Sequence, residues 1–201
     1  MIIALDLEGV LIPEIWVEIA NETGIEDLKL TTREIVDFEE LMDHRVAVCA
    51  KHNLKVQELV EIARNVIPFP GSMELLAWLR TKGQVQIISD TFHELAGDIV
   101  GRLGNYSLFA NRFKLTEDGR IKGFKLRIRG KKCKITQGLR DIGFYIVAIG
   151  DSYNDLTMLQ SANFPILFNP PDSMVKSYPN FPVVNDYEGV RRLLIDLKSD
   201  T

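Results

Sequence analysis

Short apolar runs alternate with amphipathic stretches along this chain, and that alternation narrows its fold more than any other feature. Ile2-Ile3-Ala4-Leu5, Gln84-Val85-Gln86-Ile87-Ile88-Ser89 and Tyr145-Ile146-Val147-Ala148-Ile149-Gly150 are too brief for buried helices and too apolar for strands with one wet face. Such runs suit a parallel sheet covered on both faces, and parallel neighbours need crossover connections, usually helices.

The intervening segments supply those helices. They are expected over Ser72–Lys82, from about Phe92 to Leu103, over 131–141, from about Asn154, and over Asp186–Leu197, where Asp186 is a good N-cap. The first strand should run over 2–6, and shorter strands are expected at Pro165–Phe168 and Val183-Val184. Arg112–Thr116 and Ile121–Ile128, joined by Glu117-Asp118-Gly119, read as a β-hairpin. Between the first strand and the breaker Pro68-Phe69-Pro70-Gly71 lies a stretch too long for one crossover. Within it, Phe38, Leu41, Met42, Arg45, Val46 and Cys49 share one helical face, and Val56, Leu59, Val60, Ala63 and Ile67 share another. The expected architecture is α/β: a Rossmann-like doubly wound parallel sheet from residues 1–12 plus 70–201, a helical cap domain inserted at 13–69, and the hairpin. Gly9–Pro13 and Pro68–Gly71 are the candidate hinges.

Composition removes several function classes. With 201 residues there is room for one core and a small insertion, and a net charge of −4 gives no reason to expect nucleic acid or anionic lipid as a partner. Two cysteines, Cys49 and Cys133, do not make a disulfide framework or a thiolate zinc site. No run is long enough to span a bilayer, so a cytoplasmic location is expected.

The ends of the three apolar strands carry polar chemistry. The first is followed by Asp6-Leu7-Glu8-Gly9, the second by Asp90-Thr91 after Ser89, the third by Asp151-Ser152-Tyr153-Asn154-Asp155. Ligands of doubly wound sheets gather at the carboxyl ends of strands. Asp6 and Glu8 are spaced i, i+2, which puts both acids on one side of an extended strand end. They would repel unless a cation lies between them or one holds a proton. The cluster Asp6, Glu8, Asp151 and Asp155 offers hard oxygen ligands that suit Mg²⁺, and a cation would let an anionic substrate approach. A basic group should then help to hold the anion, and Arg129-Gly130-Lys131-Lys132-Cys133-Lys134 opens the helix before the third strand.

Taken together, the motifs resemble those of the haloacid dehalogenase superfamily of phosphatases. Asp6-Leu7-Glu8-Gly9-Val10 is similar to its first motif, Ser89-Asp90-Thr91 to its second, Lys132 to its third, and Gly150-Asp151-Ser152-Tyr153-Asn154-Asp155 to its fourth. Within the superfamily the chain looks like the phosphoserine phosphatases, above all the branch described as phosphoserine phosphatase/homoserine phosphotransferase. The features are Glu8, the following Val10-Leu11-Ile12-Pro13-Glu14, and the wording of the fourth motif.

The resemblance implies hydrolysis of O-phospho-L-serine, a step of serine biosynthesis, through an aspartyl-phosphate on Asp6. Glu8 would protonate the leaving oxygen and then take a proton from water. Mg²⁺ would be held by Asp6, the backbone carbonyl of Glu8, and Asp151, with Asp155 orienting a metal-bound water. Ser89, Asp90 through its backbone, Lys132 and Asn154 would bind phosphate or substrate. Glu14 and Arg45 match positions that meet the amino and carboxylate groups of phosphoserine. On its own, Arg45 on an apolar helical stripe reads equally as an arginine whose stem covers the core while its head reaches water. A homodimer is the assembly to look for.

Two other functions compete. Homoserine could replace water as acceptor, making the enzyme a phosphotransferase. A phosphorylated receiver-type signalling module also uses acids, Mg²⁺ and an aspartyl-phosphate, but it is shorter and lacks an insert after its first strand. A non-catalytic binding protein would have little need of all four motifs. His44, His52 and His93 show no metal-ligand spacing, and Trp16 and Trp78 read as packing residues.

Overall fold

A computed structural model describes residues 1–32, 34–35, 37–128 and 130–199. Its centre is β1 (Ile2–Leu5), every residue of which is buried. Parallel neighbours flank it on both sides: β2 (Gln84–Phe92), with Ile3 opposite Val85, and β5 (Ile146–Gly150), with Ile3 opposite Val147. The sheet has seven strands in the order β4-β3-β2-β1-β5-β6-β7. The strand outside β5 is β6 (Phe164–Phe168), and β7 (Val183–Val184) pairs with it parallel. β7 meets only Leu167 and Phe168, so Pro165, without an N–H, lies in β6 beyond its reach. The order reverses at β1, which makes the gap between the carboxyl ends of β1, β2 and β5 a topological switch point.

The other edge joins two kinds of pairing. β3 (Ser107–Leu115) begins parallel to β2 and ends antiparallel to β4 (Ile121–Lys125), with Phe113 opposite Phe124. The expected hairpin is present, but its first strand starts earlier and its second stops earlier than the sequence pattern indicates. The reason is that β3 owes its first half to a partner distant in sequence.

Helices cover the sheet. The segment between β1 and β2 holds α1 (Ile15–Thr23), a 3₁₀ turn at Glu26–Lys29, α2 (Phe38–Lys51), α3 (Val56–Arg64) and α4 (Ser72–Arg80). Beyond β2 come α5 (His93–Leu103), α6 (Lys132–Asp141), α7 (Leu156–Ser161), α8 (Asp172–Ser177) and α9 (Tyr187–Ser199). Asp37 caps α2 through its side chain, which accepts from Glu39 N–H at 2.8 Å. Asp186 does the same for Gly189 at the start of α9, at 2.6 Å. α3 stops at Arg64, three residues before the sequence pattern ends, and Ile67 is 79% exposed instead of sharing the apolar face.

Residues 15–64 are not separated from the sheet by a polar seam. Ile15, Trp16, Leu28, Met42 and Leu59 belong to the same continuous apolar cluster as Leu5, Ile87 and Ile149. The two connecting segments also touch, because Phe69 N–H donates to the Leu11 carbonyl at 2.9 Å. The Tyr187 hydroxyl on α9 donates to the Val10 carbonyl at 2.7 Å. On the far side Val56 N–H donates to the Gly119 carbonyl at 2.9 Å, tying the start of α3 to the hairpin tip.

Asn111 on β3 ties the end of β2 to the segment after β4. It is fully buried, and its carboxamide donates to the Asp90 carbonyl at 2.7 Å and accepts from the N–H groups of Arg127 and Ile128 at 2.8 and 3.0 Å. Asn111→Ala would strand these buried backbone groups and should lower the unfolding free energy by about 2–4 kcal/mol. Urea denaturation with an unchanged slope is the check.

Candidate active site

Asp6 leaves β1 at its carboxyl end and is 7% exposed. Its Oδ1 accepts the Leu7 N–H at 2.8 Å. The chain then folds back at once: the N–H groups of Leu11 and Ile12 both donate to the Leu7 carbonyl, and Gly9 N–H donates to the Ile12 carbonyl. This turn needs glycine at position 9 for two reasons. Its φ is +77°, and a Cβ there would stand 2.3 Å from Asp151 Oδ2. The turn sends the Glu8 side chain toward α1, where Oε1 accepts the Ile15 N–H at 2.8 Å. Glu8 thus satisfies one of the orphan donors of α1, whose N-cap residue Glu14 makes no side-chain cap bond.

Lys132 opens α6 and is 1% exposed. Its Nζ lies 2.7 Å from Asp155 Oδ1, 3.3 Å from Asp6 Oδ1 and 3.3 Å from Asp90 Oδ2. One ammonium therefore joins the exits of β1, β2 and β5. Asp155 uses its second oxygen to accept the N–H groups of Asp151 and Ser152 at 3.1 and 3.3 Å, closing the turn after β5.

The charge balance is unfavourable without a further cation. Burial, then the charge of Asp155, pushes the Asp6 carboxyl well above the usual carboxylate range, against the pull of Lys132. Burial, then Asp155 and Glu14, raises Asp151 to about 7. Burial opposes the charge on Lys132, but Asp155, Asp6 and Asp90 outweigh it and hold the ammonium above its ordinary value. One carboxylate oxygen each from Asp6, Asp151 and Asp155 lies within 4.8 Å of the others. A hard cation fits this donor set, since it would offset the burial cost of the Asp6 and Asp151 carboxylates.

Beside this acidic end lies a second one. Arg45 projects from α2 and is 6% exposed, lining a pocket instead of extending into bulk solvent. Its Nη2 donates to the Leu30 carbonyl at 2.8 Å. Burial pulls its pKa down to about 10, while Glu8 and Glu14 pull the other way. Glu8 is raised to about 8, first by burial and then by Glu14, with the Ile15 N–H, Arg45 and the Thr91 hydroxyl opposing.

One pocket brings together Asp6, Glu8, Glu14, Arg45, Ser89, Asp90, Asp151 and Asn154. Lys132 does not line it but touches Asp6 and Asp90 from within. The Asp90 carboxylate is turned to Lys132, and the Ser89 hydroxyl is buried. Arg129, named in the basic stretch, lies outside the described residues. The pocket also takes Trp16, Phe38, Met42, Thr91, Phe92 and Ser152. Met42 could have been found, since it shares a helical face with Arg45; Trp16 carried no sign beyond packing.

The chain resembles known proteins along most of its length. Residues 1–163 match the haloacid dehalogenase-like hydrolase family. The phosphoserine phosphatase ThrH of Pseudomonas aeruginosa is 38% identical over 198 residues, covering 98% of this chain and 97% of that protein. A phosphoserine phosphatase of Pseudomonas syringae pv. tomato is 38% identical over 194 residues, covering 96% of this chain and 82% of that protein. Among solved structures, a phospho-aspartyl intermediate analogue of phosphoserine phosphatase superposes with a TM-score of 0.79 at 22% identity, over 96% of this chain and 97% of that one. That likeness bears on the fold alone. With its mostly parallel sheet, its acidic switch point and a family match from residue 1 to residue 163, the chain belongs to the haloacid dehalogenase-like hydrolases.

Proposed function

We propose that this protein hydrolyses O-phospho-L-serine, with Asp6 as the nucleophile and Mg²⁺ as the cofactor. The observation that carries the reading is that one pocket holds two sets of groups. Asp6 and Ser89 line it, with Lys132 3.3 Å from Asp6 behind them, and Glu8, Glu14 and Arg45 line it too. A phosphate ester of an amino acid needs both: electrophilic support for phosphate, then an anion and a cation for its ammonium and carboxylate. Arg45 lines the pocket, and a guanidinium fork can bind both oxygens of a substrate carboxylate. The names of the two Pseudomonas relatives agree with this substrate.

The first step forms a bond from an Asp6 carboxylate oxygen to phosphorus and breaks the bond from phosphorus to the serine oxygen. Glu8 gives its proton to that oxygen. With a pKa of about 8, Glu8 still holds the proton at neutral pH. In the second step water attacks phosphorus, Glu8 takes the water proton, and the Asp6 carboxylate leaves. Ser89 and the backbone of Asp90 bind phosphate oxygens, and Asn154 supports the substrate by hydrogen bonding. Lys132 offsets charge behind Asp6. Asp6, the Glu8 carbonyl and Asp151 would hold Mg²⁺, while Asp155, already engaged by Lys132 and two amides, would orient a ligand of the ion. When bound, Mg²⁺ supplies charge neutralisation for the phosphoryl oxygens.

In this reading residues 13–69 act as the cap that recognises the amino-acid part. Glu8 also favours a second acceptor. Its carboxyl is held at the start of α1, where an alcohol occupying the serine seat, such as homoserine, would meet the same base.

Asp6→Asn should abolish turnover without moving the thermal midpoint by more than a few degrees. Full Mg²⁺-dependent phosphatase activity in that variant would remove Asp6 from its role. Chelation of divalent cations should silence the wild type, and added Mg²⁺ should restore it. Arg45→Ala should raise KM for phosphoserine at least about tenfold more than KM for a simple aryl phosphate. Assays with phosphoserine plus homoserine decide the acceptor, because phosphohomoserine forms only if the alcohol competes with water.

A further inference from the structure

Trp16 is 4% exposed and packed in the core cluster, as a structural tryptophan should be. Its ring also meets a charge. The Arg45 guanidinium lies over it, with Cζ 4.8 Å from the ring centroid. Among the described residues, Nη2 donates to the Leu30 carbonyl at 2.8 Å and Nη1 reaches Met42 Sδ at 3.7 Å, while the charges of Glu8 and Glu14 act on the group. Hydrogen bonds and charges hold the guanidinium in place, and the aromatic face beneath it sets its plane.

The ring is itself held from behind. Trp16 meets Phe113 edge to face at 6.4 Å and 88°, and Phe113 stacks on Phe92 at 3.9 Å and 1°. Phe92 follows directly on Ser89-Asp90-Thr91 at the phosphate end of the pocket, and both Phe92 and Trp16 line that pocket. Phe92, Phe113, Trp16 and Arg45 thus form a stack from the exit of β2 to the guanidinium.

We propose that Trp16 is a positioning residue for substrate selection, holding Arg45 at a set distance from the phosphate end. The site then favours phosphate esters whose carboxylate lies at one reach from phosphorus. This rests on the reading of Arg45 as the carboxylate-binding residue. Trp16 touches no reacting atom in this scheme, so its loss changes KM for the charged substrate and leaves the chemical step alone.

Steady-state kinetics with phosphoserine and with p-nitrophenyl phosphate test the proposal in Trp16→Leu, Trp16→Phe and Arg45→Ala. Trp16→Leu, which keeps apolar bulk without a π face, should raise KM for phosphoserine about tenfold more than KM for the aryl ester, with kcat for phosphoserine changing far less than its KM. Trp16→Phe should recover most of the loss. Fluorinated tryptophan in a Trp78→Phe background gives a second measurement with little change of shape. KM for phosphoserine should rise as the ring loses electron density, and KM for the aryl ester should not. Equal effects on both esters, or no dependence on fluorination, overturns the proposal. If Arg45→Ala shifts the ratio of the two KM values and Trp16→Leu does not, the positioning role alone fails. If Arg45→Ala leaves the ratio unchanged, the carboxylate reading fails with it.

Discussion

A buried ammonium set among three carboxylates is the contact on which this site depends. Lys132 Nζ bridges Asp6, Asp90 and Asp155, one from each of three strand exits. Burying any one of these charges unpaired would be costly, and the attraction among them compensates only when the geometry is good and the remaining polar atoms are satisfied. Asp155 meets that condition through two backbone N–H groups, and Asp6 through one. The carboxylates still outnumber the ammonium, so the arrangement is most stable with a cation near Asp6 and Asp151. Structure and chemistry share one cause here: the excess negative charge of Asp6, Asp151 and Asp155 is the charge a metal ion would neutralise.

The same loop that presents Asp6 fixes the insert. Between Leu7 and Ile12 the chain turns back on itself, Glu8 caps α1, and Leu11 and Val10 receive hydrogen bonds from Phe69 and Tyr187. Glu8 therefore belongs both to the loop after β1 and to the start of α1. A shift of α1 would therefore move the Glu8 carboxyl, and in the proposed mechanism that would couple recognition of the amino-acid part to proton transfer.

The central strands were legible because a fully buried parallel strand leaves an uninterrupted apolar run, as in Ile2–Leu5 and Ile146–Ile149. The site residues at their exits followed from topology: β1, β2 and β5 are neighbours, so Asp6, Ser89 and Asp151 had to converge. Lys132, Glu14 and Arg45 stand out only through family resemblance, because nothing local separates them from solvated charges. Four features were not legible. β3 takes its first half from pairing with β2, a contact that no local pattern reports. Ile67 kept the helical period of α3 although the helix had stopped, since Pro68 restricts the residue before it. Asn111 and Trp16 act through partners far away in sequence, so their types alone suggested nothing.

The central claim is that Asp6, held at the end of β1 beside Lys132, carries the phosphoryl group during turnover. Acid quenching during steady-state turnover of phosphoserine with Mg²⁺, followed by peptide mass spectrometry, tests it most directly. The account predicts a labile phosphoryl adduct on Asp6 that hydroxylamine removes. An active enzyme whose adduct maps to another residue, or that forms none under conditions trapping acyl phosphates, would contradict it.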